Sequence, residues 1–255
     1  MSAWLLTALV MAVLIGLRQR LQLRKAREQL LATERELQHV QQTCSLLAPP
    51  SVVQNLITAG AAPAPETKVA TVLFADLVGF TALSERLAPE LLGELLNGYF
   101  QRVDDAVTEH RGRISTFLGD GVLAYFGAFE PNPWQADDAV SAAVALSKSM
   151  TRWSHELSER GYPDLRVGIG IHRGEGLAGL VGTQGRMEYA FVGSTVNIAA
   201  RVQSLTRQNN CGILITEAVR EKLNPGTPLR ALPPEPLKGI AEPVRTFEVV
   251  VGGAG

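Results

Sequence analysis

The 255-residue chain carries two cysteines, Cys44 and Cys211, and only 6% of its residues are aromatic. Two thiols so far apart build neither a disulfide framework nor a zinc cluster, and they suit a reducing compartment. An excess of one charge is also missing: 24 Lys and Arg stand against 25 Asp and Glu, for a net charge of −1. Without a basic excess, nucleic acid is not an expected partner. His39, His110, His155 and His172 fall at no metal-ligand spacing. No apolar run reaches the ~20 residues of a full membrane span, and no internal repeat is apparent. What is present is 46% hydrophobic residues, enough for one good-sized core and an accessory segment.

The chain falls into zones. Residues 3–17, "AWLLTALVMAVLIGL", carry no charge and run straight into "RQRLQLRKAR". A run of about 15 apolar residues is short for a span, but snorkelling flanks extend its reach. A cleaved signal peptide is the alternative. It places basic residues before the apolar run and closes on small residues at a cleavage site, and neither is found here. The expectation is a single-pass anchor over residues 1–17 in the cell inner membrane, with Trp4 at the interface and the C-terminal bulk in the cytoplasm.

Residues 18–57 read as a coiled-coil and linker helix. One heptad frame puts Leu23, Leu30, Leu37 and Cys44 at a, and Ala26, Thr33, Val40 and Leu47 at d. The small and polar d positions make this a weak seam, open to a parallel dimer or to a solvated amphipathic helix. "APPS" stops the long helix. Residues 58–67, "TAGAAPAPET", form a linker. Residues 68–255 are then a globular domain in which strand-like and helix-like runs alternate, as in an α+β or α/β sandwich. "KVATVLFAD" reads as a strand, and the run from Ser84 to His110 as one helix. "GRISTFLGDGVLAYFG" reads as a hairpin about Gly-Asp-Gly. "STVNIAARVQSLTRQ" reads as a helix starting near Ser194 or Thr195. Trp134 and Trp153 are expected to pack the core.

Two carboxylates stand where backbone can come close to a ligand. Asp76 ends a buried strand just before Gly79, and Asp120 sits in the hairpin turn. A pair of carboxylates at neighbouring strand ends suits Mg²⁺, which takes hard oxygen ligands and needs few of them from protein. The backbone amides from Leu77 through Gly79 and Phe80 to Thr81 lead into a helix start and are placed to receive phosphate oxygens. A hairpin turn residue and a helix cap are the ordinary alternatives for Asp120 and Asp76. Asn197 and Arg201 lie one helical turn apart, so they share a face. That face is either simply solvated or arranged to orient a sugar and clamp a phosphate.

Taken together, "VLFADLVGFTALSE", "GRISTFLGDGVLAYFG", "LRVGIGIHRGEGLAGLVG", "RMEYAFVGSTVNIAARVQ" and "PLKGIAEPVRTFEVV" resemble, in order, the class III nucleotidyl cyclases. The Pro-Pro element "SLLAPPSVVQNL" resembles the segment that joins signalling helices to bacterial members. The resemblance implies a ferredoxin-like βαββαβ catalytic domain and a head-to-tail homodimer with active sites at its interface. It implies two divalent cations, Mg²⁺ or Mn²⁺, held by Asp76, Asp120 and the Leu77 carbonyl. It implies a nucleoside triphosphate substrate, with Asn197 orienting the ribose, Arg201 stabilising the α-phosphate and Lys238 reaching the triphosphate from the partner. The implied reaction is attack of the ribose 3′-oxygen on the α-phosphorus with loss of pyrophosphate.

One part of the family pattern is missing. Adenylyl cyclases usually carry Lys four residues before the second metal Asp, and Asp or Thr seven before the helix Asn. Guanylyl cyclases place Glu and Cys there. This chain has Thr116 and Ala190. ATP is the expected substrate. A guanine, pyrimidine or relaxed specificity, and a non-catalytic nucleotide-binding module, are the alternatives.

Overall fold

The computed structural model describes residues 64–183, 186–237, 240 and 242–252, together with Arg20, Lys25, Arg27, Leu31 and Thr33. Those five isolated residues are helical. The expected anchor, the rest of the helical segment, most of the linker, and Lys238 lie outside the described residues. No helix among the described residues is long and apolar enough to cross a membrane.

Eight strands form one sheet in the order β2-β3-β1-β4-β6-β8-β7, with β5 paired to β4. In chain order these are β1 (Glu66–Leu77), α1 (Phe80–Ser84), α2 (Pro89–Glu109), β2 (Arg113–Leu118), β3 (Gly121–Phe126), α3 (Gln135–Glu159) and β4 (Val167–Thr183). They continue as β5 (Arg186–Val192), α4 (Ser194–Gln208), β6 (Ile213–Thr216), α5 (Glu217–Arg220), β7 (Leu229–Ala231) and β8 (Thr246–Val249). The first four strands with α2 and α3 make a βαββαβ unit in the order β2-β3-β1-β4, the ferredoxin-like arrangement. The remaining strands extend it beyond β4, where β6 joins in parallel.

Alternation along β1 sorts its side chains. Leu73, Ala75 and Leu77 enter the main core with Leu95, Tyr99 and Val103 of α2 and Ala139, Leu146 and Met150 of α3. Val72 and Ala70 face the other way, toward Tyr125, Phe191 and Ala199. Each large side chain so buried stabilises the fold by roughly 1.5–3 kcal/mol. β4 divides its faces by residue size. Ile169 and Ile171 fill the core, while Gly168 and Gly170 lie under α4. A Cβ on Gly170 would fall 2.2 Å from the backbone nitrogen of Gln203, so α4 lies directly on bare backbone. The Gly-Ile alternation of "VGIGIH" is therefore a helix-docking pattern.

Two expectations are corrected. The run from Ser84 to His110 is not one helix. Pro89 opens α2 at its first turn, and Ala88 before it is extended at ψ 144°, because a residue preceding proline is pushed out of the helical region. Trp134 does not pack the core: it is 54% exposed at the start of α3. Trp153 is half-buried, with the Arg102 guanidinium 4.1 Å from its ring. Asp138, by contrast, is a buried charge, made tolerable by two hydrogen bonds from Arg111 at 2.9 and 2.6 Å and one from Asn132 at 2.8 Å.

Candidate active site

Strand register brings Asp76 and Asp120 together. β1 and β3 run antiparallel with Ala75 opposite Val122, so the next step along β1, Asp76, meets the end of β3 at Gly121. Leu118 pairs with Gly121, leaving Gly119 and Asp120 as a two-residue hairpin loop, with Gly119 at φ 66°. A glycine at the first position of such a loop supplies the left-handed backbone that the strand twist requires. The expected turn is thus present, and it delivers Asp120 beside the tip of β1.

The two carboxyls adjoin at the strand ends, close enough for Asp120 to raise the proton affinity of Asp76. Burial first, and then Asp120, raise the Asp76 carboxyl from 3.8 to about 7, with Arg207 opposing them. Gly79 follows at φ 79° and ψ 12°, the left-handed region, and turns the chain into α1. Only five residues long, α1 has a small dipole; what Phe80 and Thr81 offer is first-turn amides without intrahelical partners.

Asn197 and Arg201 both lie on α4. Its buried residues are Thr195, Ala199, Val202, Gln203, Leu205 and Thr206. At about 100° per residue, Asn197 and Arg201 fall on the opposite side of the helix. Asn197 is exposed and Arg201 half-exposed. They share a face, as their spacing predicts, but that face points away from the sheet that carries Asp76. Thr195 does not cap the helix, whose N-cap is Gly193; its hydroxyl donates to the Glu175 carbonyl at 2.5 Å.

Thr116 sits on β2 just after an irregularity in the ladder with β3, half-buried, its hydroxyl 3.5 Å from the Phe117 carbonyl oxygen. Ala190 lies on β5 opposite Gly179, also half-buried.

Two residues at the site escape sequence reasoning. Arg207, in the last turn of α4, donates from Nη2 to Asp76 Oδ2 at 2.8 Å and to the Leu77 carbonyl at 3.2 Å. In the sequence it reads as an ordinary cation at a helix end, off the face of Asn197 and Arg201. Tyr99 reads as one member of the apolar stripe of α2. It is fully buried, but its hydroxyl has no hydrogen-bond partner. Burial raises its pKa, and the charges of Asp76 and Asp120 raise it further. His172 is held neutral, pushed down to about 4 by burial, with Nδ1 2.8 Å from Thr216 Oγ1.

These donors fit a divalent cation. Two crowded carboxylates and a carbonyl are hard oxygen ligands, and a positively charged nitrogen already rests on two of the three groups. Among the described residues no cluster of three or more His, Cys, Asp or Glu side chains forms a metal site, so the carboxylate pair stands as a site with few protein ligands.

The family model described as "Adenylate and Guanylate cyclase catalytic domain" matches residues 62–250. An adenylate cyclase of Anabaena cylindrica is 35% identical over 184 residues, which is 71% of this chain and 35% of that protein. The chain thus spans about a third of that relative's length. Among solved structures, the adenylyl cyclase CyaB of P. aeruginosa superposes with a TM-score of 0.69 at 30% identity, covering 75% of this chain and 98% of that one. The guanylyl cyclase Cya2 superposes with a TM-score of 0.67 at 32% identity, covering 75% of this chain and 96% of that one.

Proposed function

Because the chain belongs to the adenylate and guanylate cyclase catalytic domain family, we propose that it is a nucleotidyl cyclase, and that it converts ATP to 3′,5′-cyclic AMP and pyrophosphate. The observation that carries this reading is the meeting of Asp76 and Asp120 at adjoining strand ends, with the Leu77 carbonyl beside them. Two crowded carboxyls destabilise each other unless a cation joins them, which suits a site built around a metal-bound triphosphate.

Asp76, Asp120 and the Leu77 carbonyl would hold the divalent cations, Mg²⁺ or Mn²⁺. Bound there, these would neutralise the triphosphate and acidify the ribose 3′-hydroxyl. In the reaction the ribose 3′-hydroxyl loses its proton to solvent, its oxygen bonds to the α-phosphorus, and the bond to the bridging oxygen breaks to release pyrophosphate. In this reading Asn197 orients the ribose, and Arg201 holds the charge that gathers on the α-phosphate in the transition state, where a fixed donor is worth most. The turn from Gly79 to Thr81 takes phosphate oxygens on its amides, and Lys238 reaches the triphosphate from the other subunit.

The reading requires two copies. In α4, Asn197 lies about 15 Å along the axis from Arg207, the residue that touches Asp76, and on another side of the helix. Asn197 and Arg201 would therefore serve the carboxylates of a second chain, in a symmetric homodimer with two sites. Exposed apolar side chains at Phe117, Leu118, Leu177, Val181 and Val192 offer a surface for it. A coiled coil upstream would hold the domains at high effective concentration, and residues 3–17 would anchor the dimer to the inner membrane with its catalytic domains in the cytoplasm.

ATP rests on the adenylate cyclase relatives rather than on the base site. Thr116 and Ala190 cannot form the paired hydrogen bonds that read a base edge, and a site lacking directed bonds discriminates less. The test is a pyrophosphate-release assay on the purified dimer with ATP, GTP, CTP and UTP, with Mg²⁺ and with Mn²⁺. Turnover fastest with ATP supports the proposal. Fastest turnover with another nucleotide reassigns the substrate, and no product from any of the four refutes the enzyme.

A further inference from the structure

We propose that Arg207 is an internal counter-cation that occupies the divalent-cation position when no metal is bound and has to be displaced for metal to enter. The inference rests on the cyclase reading of Asp76 and Leu77.

One guanidinium nitrogen, Nη2, bonds both Asp76 Oδ2 at 2.8 Å and the Leu77 carbonyl at 3.2 Å. These are two of the three groups assigned to the metal. A divalent cation on the same oxygens would stand within a few ångströms of a like charge, so guanidinium and metal exclude each other. The side chain is built to leave: that of Arg207 is 51% exposed, against 20% for Asp76, and it extends from the last turn of α4. A long stem on a helix end can carry its charge out into water without disturbing the helix. Without this contact, the carboxyls of Asp76 and Asp120 would face each other uncompensated. With it, the metal-free site is held together, and the cation has to compete for its ligands.

The competition is modest because the pair is partly exposed. Neutralising Arg207 should tighten divalent-cation binding by roughly two- to five-fold. The test titrates Mn²⁺ into the full chain without nucleotide and follows free Mn²⁺ by electron paramagnetic resonance, for wild type, Arg207→Ala, Arg207→Gln and Asp76→Asn. If Arg207→Ala does not fold, Arg207→Gln carries the test. A second readout is the rise in melting temperature on adding Mn²⁺, which should be larger in the Arg207 variants, as ligand linkage requires of tighter binding. Tighter binding in the Arg207 variants, with binding lost in Asp76→Asn, supports the proposal. Unchanged or weaker binding in the Arg207 variants, with binding still lost in Asp76→Asn, overturns the exchange and leaves the cyclase reading intact. Wild-type binding in Asp76→Asn overturns the metal assignment on which both rest.

Discussion

The Arg207 guanidinium and the Asp76 carboxylate lie 2.8 Å apart across a separation of 131 residues. The contact ties the C-terminal end of α4 to the tip of β1 in the same chain. It thereby fixes where the other end of α4 is: Asn197 and Arg201 look outward, away from the carboxylates they would have to serve. In the proposed reading the site is therefore divided, with the carboxylates at the tips of β1 and β3 and Asn197 and Arg201 offered to a neighbouring chain.

Asp76 makes metal-free stability depend on pH. Its carboxyl is raised from 3.8 to about 7, first by burial and then by Asp120. A group with a raised folded value binds its proton more tightly in the fold, so its contribution favours folding in acid and is lost as pH rises from about 4 to about 7. Asp76→Asn should therefore stabilise the metal-free protein at pH 8 by about 1–2 kcal/mol. The gain should vanish below pH ~4, where both forms are neutral. Urea melts at the two pH values measure it, and an equal effect at both would be inconsistent with a raised carboxyl.

Gly79 is required for its backbone, not for space. Its φ is 79°, and a Cβ there would meet nothing within 4 Å. Gly79→Ala should cost about 1 kcal/mol of stability, the price of a left-handed residue with a side chain, and should slow turnover by shifting the turn at Asp76. A denaturation midpoint equal to wild type would show that the turn tolerates any residue.

Thr116 is half-buried, four residues before Asp120 on the β2–β3 hairpin. Thr116→Lys combined with Ala190→Asp should install a donor and an acceptor for adenine and raise the ATP-to-GTP ratio of kcat/KM by roughly tenfold or more. An unchanged ratio would mean that the base lies elsewhere.

Much of this was legible in the chain. The apolar run before Asp76, the Gly-Asp-Gly hairpin and the spacing of Asn197 and Arg201 each predicted their local structure, because short-range sterics decide them. Other features depend on tertiary placement. Nothing local shows that Arg207 reaches Asp76, or that the Tyr99 hydroxyl is buried without a partner near the carboxylates. The break before α2 was visible at Pro89 but is easily lost within a long helical periodicity. Trp134 shows the limit of composition, since a large aromatic reads as core wherever it stands.

Arg201 should act in the transition state. Arg201→Ala is expected to lower kcat by roughly a hundredfold, the loss typical of one fixed donor, with KM changed little. Steady-state kinetics with ATP separate the two. A change confined to KM would make Arg201 a ground-state binding residue.

The most direct test of the divided site is to mix two disabled enzymes. Alone, Asp76→Asn should be inactive and Arg201→Ala should keep only about a hundredth of wild-type activity. Unfolded and refolded together, half of the dimers should carry one site with both residues intact and one with neither, so activity should return to about a quarter of wild type for a two-fold symmetric pair. Cyclic AMP formation measures it. A mixture no more active than its components would contradict a site shared between two chains.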